Sequence, residues 1–87
     1  MVSQNVIIHN PTGLHLRPAG IFCNTANRYK SKITFEYGNN VANAKSVLGV
    51  LGACIKMGDE IRISCDGVDE TEALKAMVEA VESGLGE

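Results

Sequence analysis

Two short runs of alternating apolar residues, two stripes with helical spacing and a length that suits one core predict an α+β fold. The expected architecture is a two-layer open-faced sandwich in the order β-α-β-β-α-β-α, with a four-stranded antiparallel sheet covered on one face by helices. Alternation sets one face of each strand against the helices and leaves the other to water. With 45% apolar residues among 87, one domain spanning residues 1–87 can bury a small core without disulfides or metal. No repeat, low-complexity tract or linker marks a second domain.

Val2 to His9 reads as the first strand, with β-branched bulk from Val6, Ile7 and Ile8. Asn10-Pro11-Thr12-Gly13 then breaks the pattern. From Leu16 to about Arg28 a helix is expected, because Ala19, Phe22, Cys23 and Ala26 share one face while Asn24, Thr25 and Asn27 lie largely away from it. Ile21 falls outside that stripe. Lys32–Tyr37 has period 2, with Ile33, Phe35 and Tyr37 on one face, and Gly38-Asn39-Asn40 turns it into a short strand near Val41. Ser46 is a candidate N-cap for a short helix over Val47–Gly52. So short and apolar a helix cannot bury every side, so part of Val47, Leu48 and Leu51 should form an exposed patch of the kind that meets a partner. Glu60–Asp66 alternates again with Ile61, Ile63 and Cys65 inward. Asp69 followed by Glu72 reads as a capping-box start to a last helix, on which Leu74, Met77, Val78, Val81 and Leu85 form the apolar stripe. Gly84 or Gly86 can end it.

Composition excludes several classes of function. A net charge of −2 and only four aromatics with no interleaved basic run argue against nucleic-acid binding. No apolar run approaches the roughly 20 residues of a membrane span, and Met1-Val2-Ser3-Gln4-Asn5 lacks a basic signal start, so a cytoplasmic protein is expected. Cys23, Cys54 and Cys65 read as reduced thiols within apolar patterns, and with His9 and His15 they show no zinc-ligand spacing. Asp69, Glu70, Glu72, Glu79 and Glu82 read as the solvent face of the last helix, not as a catalytic pair.

The chemistry concentrates at Gly13-Leu14-His15-Leu16-Arg17-Pro18. His15 stands before a helix whose first N–H groups have no internal acceptor, Pro18 sits within the first turn, and Arg17 adds a fixed charge. Such a junction suits a phosphoryl or other anionic group. On these residues alone a plain surface histidine remains the competing reading. Ser46 could likewise be a cap and nothing more, and His9 reads as an ordinary surface residue.

Gly13-Leu14-His15-Leu16-Arg17-Pro18-Ala19 together with Asn43-Ala44-Lys45-Ser46-Val47-Leu48-Gly49-Val50 resembles the two signatures of HPr, the histidine-containing phosphocarrier of the bacterial sugar phosphotransferase system. The similarity covers essentially the whole chain, including the segment Ser83-Gly84-Leu85-Gly86-Glu87. It implies that His15 accepts a phosphoryl group from phosphorylated enzyme I at Nδ1 and passes it to enzyme IIA domains, as a carrier without cofactor or metal and not as a free-standing enzyme. It further implies that Arg17 stabilises the phosphoryl charge and that Ser46 is the site of an HPr kinase/phosphorylase, with a transcription regulator as a further possible partner. Leu16, Gly20, Lys45, Val47, Leu48 and Leu51 would belong to the partner surface of a monomer. Leu16 and Gly20 stand where the family often has smaller or β-branched residues, and Asn24, Asn27 and Asn40 where some members have lysine, leaving Arg17 and Lys45 as the basic contacts. His15 itself separates the chain from a regulatory paralogue that lacks this histidine. The alternatives are a regulatory binding module acting on a transcription regulator and a carrier of a nitrogen-related phosphorelay.

Overall fold

A computed structural model describes residues 1–87. Its elements are β1 (Val2–Ile7), α1 (Leu16–Asn27), β2 (Lys32–Tyr37), β3 (Asn40–Asn43), α2 (Val47–Gly52), β4 (Glu60–Asp66) and α3 (Glu70–Glu82). The four strands form one antiparallel sheet in the order β1-β4-β2-β3. This is the expected two-layer sandwich. Val6, Ile33, Phe35, Ile61, Ile63 and Cys65 point from the sheet into the core and meet Ala19, Phe22 and Ala26 of α1 and Ala73, Met77 and Val81 of α3. Phe22 packs edge-on to Phe35 at 5.5 Å between ring centroids, a favoured aromatic geometry. The opposite face carries Asn5, Arg62 and Glu36 side by side in register, all exposed. No helix is long and apolar enough to cross a membrane.

Several local expectations are corrected. β1 ends at Ile7, short of His9, because Ile8 leaves the ladder to exchange hydrogen bonds with the Gly58–Asp59 turn. Thr25 is buried on α1, since its hydroxyl is satisfied by donating to the Ile21 carbonyl at 2.8 Å. Cys54 is exposed and only Cys23 and Cys65 are core thiols; Cys54 lies just past α2 in a left-handed turn with φ 54°. Burial pushes the Cys65 thiol up to about 11, helped by Asp69 and Glu70.

α3 also starts and ends differently. Asp69 makes no side-chain cap bond; its carboxylate instead accepts from the N–H groups of Lys30 and Ser31, at 2.8 and 2.9 Å, and from the Ser31 hydroxyl. Those groups sit where the chain passes from α1 into β2, and Ser31 is buried, so their need for an acceptor outweighs the cap. Glu70, not Glu72, reaches back, accepting from the Gly67 N–H. At the other end Leu85 is buried but lies beyond the helix. Gly84, with φ 90°, stops α3: its N–H donates to the Val81 carbonyl and that of Leu85 to Ala80, the paired bonds of a Schellman motif. The apolar stripe therefore continues through a turn, not a helix.

Candidate functional site

His15 is the N-cap residue of α1, in extended conformation (φ −83°, ψ −171°), and its imidazole makes no cap bond. The first helical bond runs from the Ala19 N–H to the His15 carbonyl at 2.7 Å. The N–H groups of Leu16 and Arg17 lie ahead of it and have no acceptor within the helix, while buried Pro18 has no N–H to satisfy. Sequence dictates this arrangement: a serine or aspartate at position 15 would fold back onto those amides, whereas this histidine leaves them open. His15, Leu16 and Arg17 are all exposed. Two unpaired amides at the positive end of a 12-residue helix can hold an anion next to a free imidazole; the exposed Arg17 side chain adds a positive charge near them, its Nε 3.8 Å from where a Cβ on Gly86 would lie.

The loop leading to His15 is tightly built. Gly13 has φ +63°, and a Cβ there would lie 2.3 Å from the Ile55 carbonyl oxygen and 2.7 Å from the Lys56 Cα. No other residue fits. The Leu14 N–H donates to that same Ile55 oxygen at 3.0 Å, and buried Asn10 donates to the Gly13 carbonyl at 2.7 Å. Glu87 closes the loop from outside, accepting from Asn10 and Thr12. Asn10, Thr12 and Glu87 escape sequence reasoning; the Asn-Pro-x-Gly turn hinted at the first two, but nothing local connects them to position 87.

Ser46 is the N-cap of α2, and its half-buried hydroxyl accepts from the Gly49 N–H at 3.1 Å. Leu48 is 81% exposed and Val47 44%, with Leu51 half-buried. α2 packs on α1 and runs back along it: the Lys45 carbonyl accepts from Asn27 near the end of α1, whereas Ile55, just past α2, meets the loop at its start. The apolar patch therefore extends from Ser46 toward His15, and Leu16, 68% exposed, lies at the His15 end. Gly20 is half-buried one turn along α1, with open space where a Cβ would project.

Lys45 does not join Arg17. Its ammonium donates to the Tyr29 carbonyl at 2.7 Å, beyond the C-terminal end of α1, about 18 Å from the helix start by the rise of 12 residues. A cation is drawn to that end by the dipole. The two charges can meet one partner only at well-separated points. No three His, Cys, Asp or Glu side chains gather as metal ligands.

A small open-faced sandwich with a free histidine at the unsatisfied start of its first helix has the makings of a group carrier, in which the fold supplies presentation and partners supply the rest. A family model described as the PTS HPr component phosphorylation site matches residues 2–83, and the chain belongs to the HPr family. It is 38% identical over 82 residues to the HPr-like protein Crh of Halalkalibacterium halodurans, covering 94% of this chain and 98% of that one. The structure of HPr-C-His from Thermoanaerobacter tengcongensis superposes with a TM-score of 0.97 at 41% identity, covering 100% of this chain and 98% of that one. An HPr dimer from the same organism gives 0.80, also at 41% identity and with 100% of both chains covered. The monomer expected from the sequence thus stands beside a dimeric relative.

Proposed function

We propose that this chain is a phosphocarrier that accepts a phosphoryl group on His15 from phosphorylated enzyme I and passes it to enzyme IIA domains of sugar transporters. The observation that carries the reading is the exposed His15 imidazole, free of any cap bond, ahead of the unpaired Leu16 and Arg17 amides. In the transfer the Nδ1 lone pair forms a P–N bond as the bond from phosphorus to the donor breaks, and the electron pair stays with the donor. With the ring proton on Nε2, none has to move. Arg17 and the helix amides stabilise the equatorial oxygens, and catalysis is otherwise positioning. The carrier needs no cofactor or metal and does not turn over substrate by itself. Leu16, Gly20, Val47, Leu48 and Leu51 form the docking surface, with Lys45 at its far end, and a monomer leaves that surface open.

Incubation with enzyme I and phosphoenolpyruvate tests this. The parent should gain an acid-labile, base-stable phosphoryl group and His15→Ala none, while stability changes by only about ±0.5 kcal/mol because the side chain is exposed. Enzyme I-dependent labelling of the alanine variant would end the proposal.

The similarity to Crh favours a second reading, a regulatory module that uses only Ser46 and the apolar patch to act on a transcription regulator. An unlabelled parent would select it. In either reading Ser46 is the regulatory site, modified by an HPr kinase/phosphorylase.

A further inference from the structure

Glu87 lies 75 residues from Thr12 in sequence, yet its Oε1 accepts from the Thr12 N–H at 3.3 Å, from the Thr12 hydroxyl at 2.8 Å and from Asn10 Nδ2 at 3.0 Å. Asn10 is 2% exposed; its Nδ2 also donates to the Gly13 carbonyl at 2.7 Å, and its Oδ1 has no partner. The amide orientation follows from its neighbours, since the reverse would set an oxygen against two acceptors. Asn10 therefore depends on Glu87 for one of its two bonds through Nδ2.

The loop before His15 is gripped from two sides. Ile55 holds Gly13 and Leu14 from beneath, and Glu87 holds Asn10 and Thr12 from outside. The Glu87 segment also lies against α1: a Cβ on Gly86 would meet Ile21 Cδ1 at 2.5 Å and Arg17 Nε at 3.8 Å. Hydrogen bonds from Asn10 and then Thr12 hold the Glu87 carboxyl below the usual carboxylate range, with Arg17 adding to the effect, so the acceptor is ionised at neutral pH.

We propose that Glu87 is a positioning residue for His15, its side-chain carboxylate clamping the loop of residues 10–13 so that the imidazole is presented in one orientation at the start of α1. The inference rests on the carrier reading of His15. Glu87 acts through Asn10 and Thr12 and need not touch the phosphoryl group.

The test is the rate of His15 phosphorylation by phosphorylated enzyme I in parent, E87A and E87Q. E87A should lower kcat about tenfold, within the loss that a small misplacement of a reacting group can cause. KM should hold, because the apolar patch on α2 is untouched. Exchange of the Gly13 and Leu14 amides should accelerate in the same variant. E87Q keeps an amide oxygen able to accept from Asn10 and Thr12, and should recover most of the rate. A parent-like E87A, a loss that appears in KM, or an E87Q as impaired as E87A would each overturn the clamp. A parent that takes no label would instead remove the carrier reading, and the clamp's role with it.

Discussion

Replacing Gly13 by alanine should damage both the fold and the transfer, in an amount the structure allows to be worked out. Left-handed backbone costs an alanine about 1 to 2 kcal/mol, and φ is +63° here. The new Cβ would lie 2.3 Å from a backbone oxygen and 2.7 Å from a backbone Cα, neither of which can rotate away, so overpacking adds about 1 to 3 kcal/mol. Loss of chain entropy in the unfolded state returns about 0.4 to 1 kcal/mol. The net is about 2 to 4 kcal/mol, which in a domain of this size lowers Tm by roughly 8 to 30 °C. Gly20→Ala provides the contrast: it lies within α1 with no atom within 4 Å of the new Cβ, and should stabilise by about 0.5 to 1 kcal/mol. Thermal unfolding by circular dichroism reads both. At temperatures where the Gly13 variant is folded, its displaced loop should still slow labelling of His15. Stability within 0.5 kcal/mol of the parent would refute the claim that Gly13 is seated against Ile55, and so the account of what holds His15.

Leu48→Asp should leave Tm nearly unchanged, because the side chain is 81% exposed, while weakening enzyme I by more than ~1 kcal/mol, or roughly fivefold; unchanged affinity by calorimetry, with the fold intact, would mean the docking surface lies elsewhere. Phosphorylation of Ser46 places about −1.5 to −2 charges at the start of α2, so Tm should hold while His15 labelling at sub-saturating carrier slows, and equal rates would remove the switch. Asp69 is held below the usual carboxylate range by the Ser31 hydroxyl first and the Lys30 N–H second, so its contribution is present above the ordinary value of about 3.9 and is lost as pH falls through the depressed one. Asp69→Asn should therefore be less stable than the parent at pH 7, and the gap should narrow below about pH 4; a gap that is constant with pH would show that the carboxylate's charge contributes nothing.

Which parts were readable from sequence follows from the range of the interactions concerned. Period-2 runs such as Lys32–Tyr37 and Glu60–Asp66 and the stripe on α1 report burial directly, because neighbours within a few residues decide it. Ser46 as a cap is equally local. Asp69 carried a local signal and followed a distant demand, since Lys30 and Ser31 arrive from another part of the chain. Leu85 kept the helical spacing although the helix had stopped, because Gly84 turns the chain in a way that still delivers Leu85 to the core. Lys45 and Arg17 looked alike as surface cations, and only the antiparallel run of α2 along α1 separates them. The least visible part is the support of His15, where Asn10, Thr12, Ile55 and Glu87 converge from three stretches of chain.

That division suits the proposed transfer through His15, in which stabilisation of the phosphoryl group would have to remain small. Every 1.4 kcal/mol of extra binding on His15 would reduce onward transfer tenfold in equilibrium. The groups at hand are modest: helix-start amides are worth about 0.3 to 1 kcal/mol at an exposed site, and an exposed charge pair with Arg17 about 0 to 1 kcal/mol. Both would be worth far more in a closed, water-poor cleft, but His15 and Arg17 are exposed. Rigidity has to supply what binding energy does not, because orientation accelerates transfer in both directions without favouring either side. In the proposed carrier, the seated Gly13, the Leu14 bond to Ile55 and the proposed Glu87 clamp would make that second kind of contribution, from a loop held by backbone contacts and hydrogen bonds behind an exposed His15.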